Sequence, residues 1–576
     1  MFSRKRYKIS DLRYSIKNFK PINNESSMNI KPITVYCGVN SSGKSSIIQS
    51  LLLVSQSIFR QYLSIGEERI KIPQIFIFEG NKCHLQDYKN IIYENNLQNK
   101  LEFKWDFKHK NKRIRLEITC CFLPQETNIS RGFPFVESVV IRENENEIEQ
   151  IIKFNLMKKL VPLYELNTSN LKLKFDKYVS EKFYFPYLFL EDLESEDEEE
   201  QKSIELDIIS EKLVKLSDNY RKIIYHLEKL LENLTLKNVR IEFRSIFPVF
   251  THFQKSQINE LINSSKFDEL WSIFDEIPKE EQIEISKFKK ILIDIINNQL
   301  SRYLNDILRT CVRPLDYLYS RIRYIGPLRE EPKRFYTFSD LRLLDLGLKG
   351  ENTTQVLTIQ RDMKIPFIRI KEEKDKISFI ERKAVSLLSG LNEWLEIMNL
   401  QKIIPTRSMK LITRMLVLYS KNQPKDSPTS LPDVGFGLSQ ILPVLVEGLR
   451  MISGEFLILE QPEIHLHPRL QGDLADFILC NAKLGKNFMI ETHSEHFLKR
   501  LCLRIAQFKE EDISKLISIY FVVPNVNKLG TKVVEIKIDE FGRILNWPKG
   551  FLDGSEDALL LRASILKEKI KKEKAN

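Results

Sequence analysis

The sequence predicts an α/β fold in which two distant parts of the chain enclose a long insertion. Near the N-terminus, the apolar run "PITVYCGVN" is followed directly by the helical pattern "SSIIQSLLLVSQSI". Near the C-terminus, "GEFLILEQPEIHLHP" and "KNFMIETHSEHFLKRL" each have the pattern of a strand, a polar turn and a helix. We predict four regions: 1–100, the N-terminal part of the core; 101–320, an insertion that is strand-rich and then helical; 321–555, the C-terminal part of the core; and 556–576, a charged tail.

Composition and cysteine usage limit the class of protein. Hydrophobic residues make up 42% and charged residues 29% of the 576 positions. No apolar run approaches the roughly 20 residues that cross a bilayer. The seven cysteines form no C-x-x-C pair, which disfavours both a zinc site and a disulfide framework. We therefore expect a cytoplasmic protein of two or three domains with no membrane partner.

The segment "GVNSSGKSS" fits the phosphate-binding pattern G-x-x-x-x-G-K-[ST], and it lies between a strand and a helix as that pattern requires. Glycines let backbone N–H groups point into a phosphate-sized hollow, and the helix N-terminus adds partial positive charge. Lys44 is expected to reach the β- and γ-phosphates of ATP, and the Ser45 hydroxyl to ligate Mg²⁺. The predicted nucleotide contacts are Gly38, Asn40, Ser41, Ser42, Gly43, Lys44, Ser45 and Ser46.

A phosphate loop needs a carboxylate on a neighbouring strand to hold the metal ion. The strand "FLIL" ends at Glu460, which we predict as that metal ligand. The next residue is the neutral Gln461, which can orient a water molecule but is a poor base. Glu463 follows two residues later and is a candidate general base. His465 and His467 lie in the same loop, but no third ligand is evident, so we do not predict a metal site there.

Residues 108–115, "KHKNKRIR", lie between two alternating segments, which predicts a β-hairpin with a cationic tip. The chain has a net charge of +11, so a polyanionic partner such as DNA is allowed. The alternative is an ordinary solvated hairpin. The candidate DNA contacts are Lys108, Lys110, Lys112, Arg113 and Arg115, with Trp105 nearby.

From about residue 200 to 320 the pattern is helical. Apolar residues from Ile209 to Leu234 recur in steps of four and three, as in a coiled coil. Further apolar positions broaden this stripe, which favours a helix packed on its own domain over a coiled-coil arm.

Several segments resemble the SMC/RecF-type ATPases, which are relatives of ABC-transporter motor domains. "VYCGVNSSGKSSIIQSL", "DVGFGLSQILPVL", "LILEQPEIHLHP" and "IETHSEHFLKRL" occur in the order of that family's phosphate loop, signature, Walker B and switch-histidine segments. The resemblance implies an ABC/SMC-like P-loop NTPase head formed by the N- and C-terminal regions. The apolar spacing described above, and not the resemblance, predicts that the long insertion is largely helical. The resemblance also implies a dimer or higher oligomer in which two heads enclose ATP, with Gly437 and Ser439 of one head reaching the nucleotide of the other. His493 would be the switch histidine.

A narrower resemblance is to the OLD-like ATPases of bacterial defence, including the Septu and retron-associated types. It is carried by "YIGPLREEP", "GLKGENTTQVL", "LNEWLEIM" and "GRILNWPKGFLDG". Only about eighty residues follow "ETHSEHF", and they lack a Toprim pattern, so we expect no nuclease site in this chain. The resemblance implies a separate HNH-type nuclease or retron components as partners.

The resemblance implies an ATP-gated sensor or scaffold that acts in anti-phage defence, associates with DNA and controls an effector. Its predicted catalytic residues are Lys44, Gln461, Glu463 and His493. One alternative is a RecF-like DNA-repair ATPase. Another is a nucleotide-binding interaction module in which Gln461 has ended turnover. An ABC-transporter motor is disfavoured by the long insertion.

Overall fold

The computed structural model describes residues 9–58, 62–65, 70–73, 75–110, 112–125, 128–145, 148–158, 163–169, 225–227, 229–244, 247–276, 284–337, 345–373, 376–409, 412–418, 428–508, 511–525 and 530–546. The chain forms two compact units. The first comprises Met1–Ile58, Ile77–Leu101 and Tyr317–Asn576, and the second comprises Phe59–Phe76 and Glu102–Asp316.

The strands, in chain order, are β1 Ser10–Lys17, β2 Ser26–Asn29, β3 Ile33–Gly38, β4 Tyr62–Ile65, β5 Ile70–Pro73, β6 Leu101–His109, β7 Lys112–Gln125, β8 Asn128–Glu145, β9 Ile148–Lys158, β10 Leu163–Ser169, β11 Thr235–Arg244, β12 Phe247–His252, β13 Ile322–Ile325, β14 Tyr336–Thr337, β15 Lys364–Glu373, β16 Lys376–Ser386, β17 Ile403–Met409, β18 Ile412–Val417, β19 Thr429–Ser430, β20 Phe456–Glu460, β21 Asn487–Glu491, β22 Ile517–Pro524 and β23 Thr531–Ile536. The α-helices are α1 Lys44–Gln56, α2 Lys255–Ile262, α3 Asp268–Asp275, α4 Ile285–Tyr319, α5 Thr353–Gln360, α6 Leu387–Ile397, α7 Phe436–Arg450, α8 Pro468–Lys483 and α9 Glu495–Gln507.

The core of the first unit is a six-stranded sheet in the order β13-β20-β21-β3-β22-β23. All neighbouring pairs are parallel except β22 and β23, which are antiparallel. Strands β3 and β20 are short and are buried over almost their whole length, as is typical of parallel strands covered on both faces. The carboxyl ends of β3, β20 and β21 therefore meet at one edge, and all candidate catalytic residues follow or end these strands.

Helices α7 and α8 bury apolar faces in the core that also contains β3, β20 and β21. Trp394 of α6 packs edge-to-face on Phe477 of α8, with ring centroids 5.2 Å apart. Lys486, the residue before β21, is fully buried, and its Nζ donates to the carbonyls of Gly448 and Leu449 and to the side chain of Asn481. The predicted α/β fold class, with one core formed by the N- and C-terminal parts of the chain, is confirmed.

The second unit contains a sheet in which β6 to β12 follow one another in chain order, and the pairs from β7 to β12 are antiparallel. Inward positions are apolar and alternate with polar ones, as in β6, where Leu101, Phe103, Trp105 and Phe107 are buried. Helices α2, α3 and the first part of α4 complete the unit. None of the helices that lie in the described part of the chain is long and apolar enough to cross a membrane.

The prediction that residues 200–320 are mainly helical, and with it that of a largely helical insertion, is wrong at Thr235–His252, which forms β11 and β12. This segment alternates apolar and polar residues with β-branched side chains such as Val239 and Ile241, which favours strands. Residues 225–227 and 229–232 are helical, and Leu227 and Leu231 are buried. The rest of the predicted heptad segment, 209–224, lies outside the described residues, as do the terminal W-P-x-G-F segment and the charged tail.

Candidate nucleotide-binding site

The phosphate loop joins the end of β3 to the start of α1. Gly38 has φ 138° and Gly43 has φ 100°, conformations that favour glycine. A Cβ on Gly38 would lie 2.1 Å from the carbonyl oxygen of Val522 on the neighbouring strand, so no other residue fits there. The Thr531 hydroxyl donates to the Ser42 carbonyl at 2.8 Å and fixes the middle of the loop. The predicted contacts Asn40 and Ser41 are exposed, whereas Ser42 and Ser46 are buried.

Lys44 is the first residue of α1, and its side chain folds back over the loop. Its Nζ donates to the carbonyls of Gly38, at 3.1 Å, and Val39, at 2.7 Å. Burial lowers the pKa of Lys44, and the nearby Glu491 carboxylate opposes this effect. The ammonium group is therefore held beside the helix N-terminus, where a phosphate would be stabilised by both charges.

The carboxylate that contacts Ser45 is Glu491, which the sequence analysis did not single out. The Ser45 hydroxyl lies 2.9 Å and 3.1 Å from the two Glu491 carboxylate oxygens. Glu460, predicted for this place, instead accepts a hydrogen bond from the Tyr324 hydroxyl at 3.1 Å. Glu460 and Glu491 end neighbouring parallel strands in matched register, so their side chains emerge on the same face of the sheet.

The two carboxylates make an electrostatically strained pair. Burial, reinforced by the neighbouring Glu491, raises the pKa of Glu460 to about 7. Burial also raises the pKa of Glu491, against the hydrogen bond from Ser45 and the charge of Lys44. A hydroxyl and two carboxylates are the hard oxygen donors that Mg²⁺ prefers, so these residues fit the ion when phosphate oxygens and water supply its other ligands. Among the described residues no group of three or more His, Cys, Asp and Glu side chains could hold a metal without such help.

The turn after β20 brings together Gln461, Glu463 and His493. Gln461 adopts φ 44°, and its N–H donates to the Glu491 carbonyl at 2.7 Å. One Glu463 oxygen accepts from the His493 N–H at 2.7 Å, while the other is buried with no hydrogen-bond partner within the described chain. Burial raises the pKa of Glu463, which suits a group that accepts a proton near neutral pH. The His493 side chain is exposed, and partial burial together with Lys44 lowers its pKa.

Arg329 holds this turn from the other side. Its guanidinium donates to the carbonyls of Glu460 at 3.1 Å, Gln461 at 2.8 Å and Pro327 at 3.0 Å. The side chain is 7% exposed, and burial lowers its pKa to about 10, so the group stays charged at neutral pH. The planar five-donor fork is suited to gripping several carbonyls at once. Arg329 is therefore placed to fix the backbone on which Gln461 sits.

The predicted signature residues lie at the start of α7. Gly435 precedes the helix and Gly437 is in its first turn, while the buried Ser439 hydroxyl donates to the Phe436 carbonyl at 2.7 Å. Phe436 is exposed and packs edge-to-face on His465, with ring centroids 5.1 Å apart. No hydrogen bond or ion pair within the described ranges joins Ser439 to the phosphate loop of its own chain.

The predicted cationic hairpin is formed by β6 and β7, but part of its charge is paired. Arg113 and Arg115 contact Asp106 at 2.8 Å and 3.4 Å, and Lys112 contacts Glu143 at 3.0 Å. Lys108 and Lys110 are exposed. Trp105 is 1% exposed and stacks on Phe103, so its ring is not available to a nucleic-acid base.

The fold and site define a P-loop NTPase head, with a phosphate loop, a metal-compatible carboxylate pair and a glycine-rich helix start on one core. The chain belongs to the AAA ATPase domain family, whose sequence profile matches residues 8–498. Residues 514–560 match a second family, DUF3696, whose members are proteins of unknown function. The search of curated proteins gave no significant match.

Several solved structures of SMC head domains are remotely similar. One, from Pyrococcus furiosus, has an extended coiled coil and is bound to the C-terminal domain of ScpA; it is 10% identical, with 97% of this chain and 98% of that chain covered and a TM-score of 0.28. Another, from Thermotoga maritima, is 9% identical, with 92% and 100% covered and a TM-score of 0.29. A third, bound to the C-winged helix domain of ScpA, is 10% identical, with 92% and 98% covered and a TM-score of 0.31.

Proposed function

We propose that this AAA ATPase binds MgATP at the edge of the sheet formed by β3, β20 and β21 and hydrolyses it slowly. The observation that carries the proposal is the meeting of Lys44, Ser45, Glu460 and Glu491 around one phosphate-binding helix N-terminus. Lys44 would exchange its two loop carbonyls for phosphate oxygens. Ser45 and Glu460 would hold Mg²⁺, which supplies charge neutralisation of the phosphates when bound.

Water activation is the slow part of this proposal. Gln461 is suited to orienting a water molecule, and Glu463 is suited to accepting its proton because burial raises the pKa of its carboxyl group. His493 is joined to Glu463 through its backbone N–H and presents an exposed ring beside the same site. Because the residue after Glu460 is neutral, the ATP-bound state would persist longer than in an enzyme with a carboxylate there.

A persistent ATP-bound state suits a switch better than a motor. We propose that two copies close around ATP, so that Gly437 and Ser439 of one copy contact the nucleotide bound by the other. The exposed Phe436 at the start of α7 supports this arrangement, although the Ser439 hydroxyl beside it is buried. Loss of the γ-phosphate contacts would reopen the dimer.

The biological role that fits these features is a cytoplasmic sensor or scaffold in anti-phage defence, which controls a separate HNH-type nuclease or retron component. DNA association is supported by the net charge of +11 and by the exposed Lys108 and Lys110. The ion pairs of Lys112, Arg113 and Arg115 weaken their candidacy as DNA contacts.

The test is ATP turnover by the purified chain, with and without DNA, beside Lys44→Ala and Glu463→Gln. We expect slow turnover that both variants abolish, and ATP-dependent dimers that Ser439→Arg prevents. If wild-type ATP turnover is no higher than that of Lys44→Ala, with or without DNA, the proposed ATPase activity is refuted. In that case, binding of ATP without turnover would favour a nonhydrolysing interaction module, which the neutral Gln461 allows.

A further inference from the structure

We infer that Glu491 is a second carboxylate ligand for the divalent cation of a bound nucleotide and makes nucleotide binding depend on that cation. The inference rests on the proposed function, because it concerns the same site. It adds a residue from the strand between the phosphate-loop strand and the strand of Glu460.

Strand order places Glu491 closer to the loop than Glu460. Strand β21 lies directly between β3 and β20, so the end of β21 adjoins the end of β3. Glu491 faces Ser45 with both carboxylate oxygens, whereas one oxygen of Glu460 is engaged by Tyr324 on the opposite neighbouring strand, β13. The residue best placed beside the Ser45 hydroxyl is therefore Glu491.

The hydrogen bond between Ser45 and Glu491 has a directional consequence. A serine hydroxyl that donates its proton to Glu491 keeps its oxygen lone pairs available for a cation. Glu491 is 4% exposed, so water screens its charge weakly. One carboxylate thus both orients a neutral ligand and contributes negative charge to the metal position.

The charge balance predicts that removing the Glu491 charge changes nucleotide affinity in opposite directions without and with a divalent cation. Without a divalent cation, the negative charge of the Glu491 carboxylate repels the phosphates, so removing this charge should strengthen binding. With Mg²⁺ present, the same carboxylate attracts the ion that bridges to the phosphates, so removing it should weaken binding. A residue that only stabilised the start of α1 would weaken binding in both states when replaced.

The experiment measures the dissociation constant of a fluorescent ADP analogue in excess Mg²⁺ and in excess EDTA. For Glu491→Gln we expect the constant to rise roughly tenfold with Mg²⁺, the lower end for loss of a group that supports metal binding. In EDTA we expect it to fall roughly fivefold, the size expected for one partly screened charge. The matched control is Glu495→Gln on the same strand–turn–helix segment, where Glu495 pairs with Lys499; both constants should stay at wild-type values.

A second readout is Mn²⁺ affinity of the ADP complex, followed by electron paramagnetic resonance, which Glu491→Gln should weaken about tenfold. Glu491→Asp keeps the charge but withdraws it by one methylene, so it should weaken MgADP binding without strengthening binding in EDTA. This variant serves as the test if Glu491→Gln does not fold.

Glu491→Gln that weakens both states equally, or changes neither, would overturn the inference. If wild type binds the nucleotide and Lys44→Ala abolishes turnover, such a result refutes only the role of Glu491 and leaves the proposed ATPase function standing. If wild type binds no nucleotide in either buffer, the proposed function fails and the inference fails with it.

Discussion

Replacing Arg329 with methionine tests whether the turn after β20 is held in place by a single buried side chain. Methionine keeps the volume of the aliphatic stem but removes the guanidinium. The buried carbonyl of Glu460 and the partly buried carbonyls of Gln461 and Pro327 then lose their donor. Each unsatisfied buried acceptor costs about 1–3 kcal/mol.

Part of that loss is offset by removal of a buried charge. Burial lowers the pKa of Arg329 from 12.5 to about 10, which corresponds to roughly 3 kcal/mol against the charged form. The two contributions are of similar size, so the free energy of unfolding should change by no more than about 2 kcal/mol. The larger effect should be on turnover, because Gln461 has a left-handed φ of 44° that the Arg329 contacts help to maintain. A displacement of about 1 Å in a reacting group can lower the rate up to about a hundredfold.

The assay combines thermal unfolding with steady-state ATP turnover and nucleotide binding. For Arg329→Met we expect kcat to fall at least about tenfold while the dissociation constant of the nucleotide changes little. Arg329→Lys should recover only part of kcat, because an ammonium group cannot reproduce the planar fork. Arg543→Met removes an exposed arginine paired with Asp539 and should leave both properties unchanged. A folded Arg329→Met protein with wild-type kcat would refute the positioning role.

Three further predictions concern the side chain of Gln461, the backbone at Gly38 and the buried Lys486. Gln461→Glu should raise ATP turnover if the neutral side chain limits water activation; an unchanged rate in a folded protein would show that it does not. Gly38→Ala should destabilise the protein by more than about 2 kcal/mol in chemical denaturation, because its Cβ would clash with the Val522 carbonyl. As the control, Gly454 has φ 88° but open space around its Cβ position, so Gly454→Ala should lower the free energy of unfolding by only about 1 kcal/mol. Equal losses of stability in Gly38→Ala and Gly454→Ala would exclude the clash with Val522 as the cause. Burial lowers the pKa of Lys486 to about 7 in the folded protein. Between about pH 7 and pH 10 the unfolded chain therefore keeps a proton on this side chain that the folded protein has lost. The free energy of unfolding should rise over this range by up to about 1.4 kcal/mol per pH unit. Lys486→Met should remove that rise, and an unchanged slope would contradict the assignment.

The sequence was sufficient to predict the head of this protein because its signals are local. Glycine spacing, a lysine and a serine at the start of a helix, and an apolar strand before them together specify a phosphate loop. Glu460 could likewise be predicted at the end of a buried strand. Which strand lies between those of Gly38 and Glu460 is not local information, and it decides which carboxylate faces Ser45.

Glu491 was missed although its signal is present. "NFMIE" ends in a glutamate after an apolar run, just as "FLILE" does, and parallel strands deliver such residues to one edge. In the hairpin, the partners of Arg113 and Lys112 could not be foreseen, because Asp106 and Glu143 reach them only through strand pairing.

The most direct test of the account is a calorimetric titration of MgATP into wild type and Lys44→Ala, with Glu495→Gln as the folded control. We expect MgATP to bind saturably at one site per chain in wild type and in the control, and at least about tenfold more weakly to Lys44→Ala. Wild-type affinity in a folded Lys44→Ala protein, or the absence of binding in wild type, would contradict the assignment of the phosphate loop as the nucleotide site.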